Sequence, residues 1–137
     1  MAPPHTKEAR LTIGVLDASA ILAVYYDEPG AQVVHAIIAG SLVSAVNYSE
    51  VVSKALDRGS AYDGVLQSLA QMGIVPVPHD LSLARRAGGL RPLTKRLGLS
   101  IGDRACLALG ERERLPVYTT DRTWASLDIG IEIRLIR

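Results

Sequence analysis

The chain has 137 residues, which suits one domain, and a domain of that size buries roughly two thirds of the surface its unfolded form exposes. Its 48 % hydrophobic and 21 % charged residues are ordinary for a soluble globular protein, and a net charge of +1 argues against bulk binding of polyanions, so a nucleic-acid site has to come from local clusters of Lys and Arg. A single cysteine, Cys106, excludes an intramolecular disulfide and a Cys-rich zinc site.

The segment MAPPHTKEAR carries prolines and charges where a secretory signal needs an apolar run. Residues 1–10 are therefore expected to form a flexible extension, residues 11–137 the domain, and the protein to remain in the cytoplasm. Thr12 to Leu16 is a short β-branched apolar run, expected as a strand buried on both faces and ending at Asp17. Ala18 to Tyr25 is expected to be helical, followed by a Glu28-Pro29-Gly30 turn and a helix from Ala31 to Ala39 closed by Gly40. Leu42 to Ser44 suits a second strand. No Asp, Glu, Lys or Arg occurs from Pro29 to Ser49, but Gln32, His35, Asn47 and the Gly40-Ser41 break argue against a membrane span. Helical spacing continues over Val46 to Leu56 and Ala61 to Met72, with Gly59 and Gly73 as stops.

Ile74 to Val77 is a weak third strand because prolines flank Val77. Leu81 to Leu97 is basic and predicted helical in two pieces, interrupted by Gly88-Gly89 and Pro92. A strong helix from Ser100 to Arg114, a strand from Val117 to Thr119, a short helix from Arg122 to Leu127 and a strand from Ile131 to Ile136 complete the pattern. Strands alternating with helices predict a three-layer α/β/α domain around a mainly parallel sheet of four to five strands.

In such sheets ligands gather outside the carboxyl ends of the strands. Asp17 and Asp121 both follow strands, while Glu50 and Asp103 lie one turn into helices. Each acid also has a plain structural reading: Asp17 and Asp121 as helix caps, Ser100 with Asp103 as a capping box, and Glu50 as a solvated residue. Together they suggest one acidic pocket, and clustered carboxylates protonate unless cations offset their repulsion. His5, His35 and His79 are remote from the acids in sequence, so oxygen ligation of Mg²⁺ or Mn²⁺ is expected rather than a zinc site. An ion of this kind orients water, lowers its pKa and neutralises charge on a phosphodiester.

The stretches Val15-Leu16-Asp17-Ala18-Ser19-Ala20-Ile21-Leu22, Asn47-Tyr48-Ser49-Glu50-Val51, Leu99 to Leu109 around Asp103, and Tyr118-Thr119-Thr120-Asp121-Arg122-Thr123-Trp124 resemble the four signature blocks of PIN-domain ribonucleases. More narrowly, the chain resembles the VapC toxins of bacterial type II toxin-antitoxin pairs, from Leu11 onward and in the family's order. The resemblance implies that Asp17, Glu50, Asp103 and Asp121 bind Mg²⁺ or Mn²⁺ and cleave RNA, leaving a 5′-phosphate and a 3′-hydroxyl. It also implies blocked translation, restraint by a small antitoxin, and a homodimer; the positive mean hydropathy agrees with a partner or self-contact.

Ser19 and either Thr119 or Thr120 match polar positions beside the family's acids, though turn and cap roles serve them equally. Asn47 is either a helper of the site or a helix N-terminal residue. Arg104 and Arg122 adjoin the acids and are candidates to hold RNA phosphates. Tyr48 and Trp124 are candidates to stack an unpaired base, with Trp124 equally suited to packing beneath the last loop. A haloacid dehalogenase phosphatase needs a second Asp where Ser19 stands, a receiver module needs an adjacent acid pair, and no P-loop or G-x-G-x-x-G occurs. The remaining alternative is a non-catalytic PIN-like module that docks RNA or a protein.

Overall fold

The computed structural model describes residues 12–137, so the expected extension and His5 lie outside the described residues. Five strands form one parallel sheet in the order β3-β2-β1-β4-β5, with β1 Val15–Leu16, β2 Leu42–Ser44, β3 Val75–Val77, β4 Val117–Thr119 and β5 Ile133–Leu135. Seven α-helices accompany them: α1 Ala18–Tyr25, α2 Ala31–His35, α3 Ala45–Asp57, α4 Tyr62–Gln71, α5 Leu81–Gly89, α6 Arg91–Thr94 and α7 Ile101–Glu113. Two 3₁₀ turns, Lys95–Leu97 and Arg122–Ser126, lead into α7 and away from β4.

Alternation along the strands divides the core in two. Leu16, Val43 and Tyr118 face one side, where they pack with Ile21, Val51 and Leu69 from α1, α3 and α4. Val15 and Val117 face the other, against Leu83, Leu107 and Trp124 from α5, α7 and the second 3₁₀ turn. Both faces of the central strands are therefore dry, which is why β1 and β4 carry continuous apolar runs rather than alternating ones. Cys106 is fully buried on α7, as expected of a small hydrophobe.

Several boundaries depart from the expected ones, each for a local reason. Ladder pairing in β1 covers only Val15 and Leu16, although Gly14 still accepts a bond from the Leu42 amide through its carbonyl. Helix α2 stops at His35, and the chain then turns so that Ile37 and Ile38 enter the core. Gly88 and Gly89 do not interrupt α5, because buried Ala87 and Leu90 anchor its last turn; the break falls at Leu90, and Pro92 opens α6. The segment after Leu127 becomes ladder only from Ile133 to Leu135. No helix among the described residues is long and apolar enough to cross a membrane.

The β3 edge has a consistent polarity. The Val75 amide donates inward to Ser41 O at 2.8 Å, so the next position, where a strand's amide turns outward, is occupied by Pro76, which has none to offer.

Gly14 fixes how closely β1 approaches β4. A Cβ there would collide with the Pro116 carbonyl oxygen and lie 2.6 Å from Cε1 of Tyr118, a ring buried completely in the core. Gly14→Ala is expected to destabilise the fold by roughly 1–3 kcal/mol through overpacking, read as a lower midpoint in urea with an unchanged slope.

Candidate active site

Asp17 occupies the N-cap position of α1, yet its side chain makes no cap bond. Its Oδ2 instead accepts from Ser19 Oγ at 2.8 Å and from Thr119 Oγ1 at 2.9 Å. Both hydroxyls are oriented by the loop after β4: the Thr120 amide donates to Ser19 Oγ at 3.0 Å and the Asp121 amide to Thr119 Oγ1 at 3.0 Å. A hydroxyl that accepts an amide proton keeps its own single proton for another partner, here the carboxylate. The ends of β1 and β4 are thereby joined through Asp17.

Asp17 as a whole is only 6 % exposed. Burial pushes it from the ordinary 3.8 up to about 6; the Ser19 and Thr119 hydroxyls pull the other way, the charge of Asp103 pushes it up further, and the Ala18 amide opposes. Hydrogen bonding therefore only partly offsets desolvation, and the site receives a negative charge that the protein alone does not neutralise.

Asp103 lies half-buried in the first turn of α7, in a complete capping box: Ser100 N donates to Asp103 Oδ2 at 2.8 Å and Asp103 N donates to Ser100 Oγ at 3.2 Å. The expected cap is thus present, and it holds the carboxylate where Asp17 feels its field. Glu50, on α3, accepts from Asn47 Nδ2 at 2.8 Å, and the same nitrogen donates to Gly102 O on α7 at 3.0 Å. The helix-start role considered for Asn47 belongs to Ser44, whose hydroxyl accepts from Val46 N at 3.2 Å. Beneath these acids the Cys106 thiol is pushed well above its ordinary value, first by burial and then by the charges of Asp17, Asp103 and Glu50. One core sulfur thus senses the charges of all three carboxylates. Asp121 joins the Asp17 network through its backbone amide, but its Oδ1 accepts from Thr123 N at 3.0 Å and Thr123 Oγ1 at 2.7 Å, capping the second 3₁₀ turn.

Among the described residues, no three His, Cys, Asp or Glu side chains gather tightly enough to enclose a metal ion. Mg²⁺ does not require such a cage, because it keeps several waters and binds through one or two carboxylates. A buried carboxyl pushed upward by desolvation and by a neighbouring acid, in an all-oxygen setting, fits a hydrated ion of this type and not zinc.

A family model for the PIN domain matches residues 14–130. The chain belongs to the PIN-domain family. Solved structures share its fold: a toxin–antitoxin complex from Klebsiella pneumoniae is 18 % identical, with a TM-score of 0.68 over 88 % of this chain and 99 % of that one. VapBC-5 from Mycobacterium tuberculosis is 26 % identical, with a TM-score of 0.60 over 91 % and 98 %. VapC20 from Mycobacterium tuberculosis, a sarcin-ricin loop cleaving toxin, is 13 % identical, with a TM-score of 0.65 over 86 % and 98 %. The fold of this PIN domain is thus that of VapC-type toxins. No curated protein sequence matches the chain.

Other residues singled out in the sequence take varied places in the PIN domain. Arg104 donates from Nη1 to Ala87 O at 3.0 Å, tying α7 to α5. Arg122 donates to Arg137 O at 2.9 Å. Trp124 is completely buried in the α5–α7 layer, so it packs under the loop and presents no face to a base, and Tyr48 is half-buried against the opposite core cluster. Of the two threonines, Thr119 supplies the hydroxyl to Asp17 and Thr120 only its amide. Within the basic stretch from Leu81 to Leu97, Arg91, Lys95 and Arg96 are exposed on the segment leading into α7.

Two participants escaped the sequence reading. Thr123, two residues beyond Asp121, has the spacing of an Asx-type cap, a signal that was available. Gly102 sits in the first turn of an otherwise strong helix, where glycine costs about 1 kcal/mol relative to alanine; its reason is the close approach of Glu50.

Proposed function

We propose that this PIN domain is a Mg²⁺- or Mn²⁺-dependent endoribonuclease, the toxin of a toxin–antitoxin pair, with Asp17, Glu50, Asp103 and Asp121 as its acidic centre. The observation that carries this reading is Asp17: a buried carboxyl at the end of a central strand, braced by two oriented hydroxyls and still pushed up to about 6 by its surroundings. A purely structural acid gains nothing from that position, since a serine or asparagine would satisfy the same hydroxyls without a buried charge.

Asp17 and Asp103 are the residues suited to hold the ion, with Glu50 at their side. A bound divalent cation supplies charge neutralisation at the phosphodiester and lowers the pKa of water. Glu50 is placed to accept a proton from water or to orient it, and Asp121, tied down by Thr123, contributes negative potential at the rim. Exposed Arg91, Lys95 and Arg96 offer phosphate contacts that raise affinity without reading sequence. The toxin role, with a small antitoxin as partner, RNA as substrate, a homodimeric state, cytoplasmic location and blocked translation, draws its support from the VapC-type fold and from the toxin–antitoxin complexes that share it.

Incubation of the purified protein with structured RNAs and Mg²⁺ is expected to yield fragments with 5′-phosphates, and EDTA is expected to abolish them. Cleavage that persists in EDTA and in Asp17→Asn alike would overturn the assignment. A non-catalytic module would instead show neither cleavage nor divalent-ion affinity in calorimetry.

A further inference from the structure

We infer that Asn47 and Gly102 form a cradle that positions the Glu50 carboxylate against the first turn of α7, which carries Asp103, so that Asn47 is a positioning residue of the acidic centre rather than a contact for substrate. The inference rests on the metal-dependent nuclease reading above. Asn47 is completely buried, and both atoms that its Nδ2 reaches, Glu50 Oε1 at 2.8 Å and Gly102 O at 3.0 Å, are acceptors. That pair fixes which way the amide points, because the flipped amide would set oxygen against oxygen twice.

The carbonyl end, Asn47 Oδ1, is buried without a protein partner. A side chain chosen only for packing would not leave a polar atom in that state; the orientation is dictated by the nitrogen's two bonds. Against the same carboxylate, Gly102 presents a bare Cα, and Oε1 is the atom closest to where its Cβ would lie. A Cβ there would lie 2.8 Å from Glu50 Cδ and 2.9 Å from Oε2, inside contact distance of the whole group. Glu50 is thus gripped by an amide from its own helix and seated on the backbone of α7, one residue before Asp103. A carboxylate on a long side chain has several rotamers open to it, and this arrangement selects one.

The test is a double-substitution cycle read by Mn²⁺ binding in electron paramagnetic resonance titrations, using wild type, Asn47→Leu, Glu50→Ala and the pair together. Asn47→Leu is expected to weaken Mn²⁺ about tenfold and to have no further effect once Glu50 is alanine. Gly102→Ala, which leaves Asn47 untouched, is expected to weaken Mn²⁺ to a similar degree and keeps the question open to measurement if Asn47→Leu folds poorly. In the metal-free protein, the Asn47 side-chain amide resonances are expected to move on Glu50→Ala. Equal weakening by Asn47→Leu with and without Glu50, or amide resonances indifferent to Glu50, would overturn the inference alone. Wild-type protein without Mn²⁺ affinity would overturn the nuclease reading and this inference with it.

Discussion

Asp17→Asn is expected to make the metal-free protein more stable at neutral pH while removing the proposed ribonuclease activity. A carboxyl held near 6 rather than at its ordinary 3.8 binds its proton more tightly in the folded state than in the unfolded one. The folded state therefore carries more protons between those values, and wild-type stability falls as pH rises through that window. Above it, the ionised group costs the fold on the order of 2–3 kcal/mol, which for a chain of this length corresponds to a Tm difference of about 5–10 °C. Asparagine keeps an oxygen for Ser19 and Thr119 but carries no charge, so its advantage should appear at pH 7.5 and vanish near pH 4. Calorimetric scans of both proteins in EDTA across that range give the check. Cleavage with Mg²⁺ present should fall by roughly a hundredfold or more, the scale seen when a central electrostatic group is deleted from an active site. A variant no more stable than wild type at pH 7.5 would show that Asp17 is not an uncompensated buried charge.

Thr119→Val should act in the opposite sense on stability and in the same sense on activity. Valine preserves shape in a fully buried position, but it removes the proton given to Asp17 and the acceptor used by the Asp121 amide. Losing a hydrogen bond to a charged group costs roughly 1.5–3 kcal/mol, and supporting groups around metal ligands typically change affinity or activity by about 10–100-fold. Because the Thr119 hydroxyl pulls the Asp17 carboxyl down, its removal should move the metal-free stability transition to higher pH than in wild type. Unchanged cleavage together with an unchanged transition would show that the hydroxyl merely fills space.

Much of this architecture was legible because the relevant signals are local. Leu42–Ser44, Val117–Thr119 and Ala18–Tyr25 emerged with the expected boundaries, each enclosed by residues that end an apolar run: Gly40-Ser41, Thr120-Asp121 and Asp17. Where tertiary packing decided the outcome, sequence periodicity misjudged it. The Gly88-Gly89 pair should break a helix by propensity, yet the burial of Ala87 and Leu90 carries α5 through it. The acids were placed at strand ends and helix starts by pattern alone, but their partners were not. Nothing in the spacing of Ser19 and Thr119, one hundred residues apart, tells that both donate to one oxygen. The guanidinium of Arg104 finds the Ala87 carbonyl because α5 lies across its path, a partner that no spacing in the sequence announces.

Pro76 has a consequence for assembly. With the inward-facing amide of Val75 engaged by Ser41 and the outward position lacking a donor, β3 is a poor template for a sixth strand from another molecule. A second copy of the chain joining at that rim would find the ladder interrupted at its middle rung. Strand addition at this rim is therefore disfavoured, which leaves β5, at the opposite edge of the sheet and free of proline, as the rim without such a break.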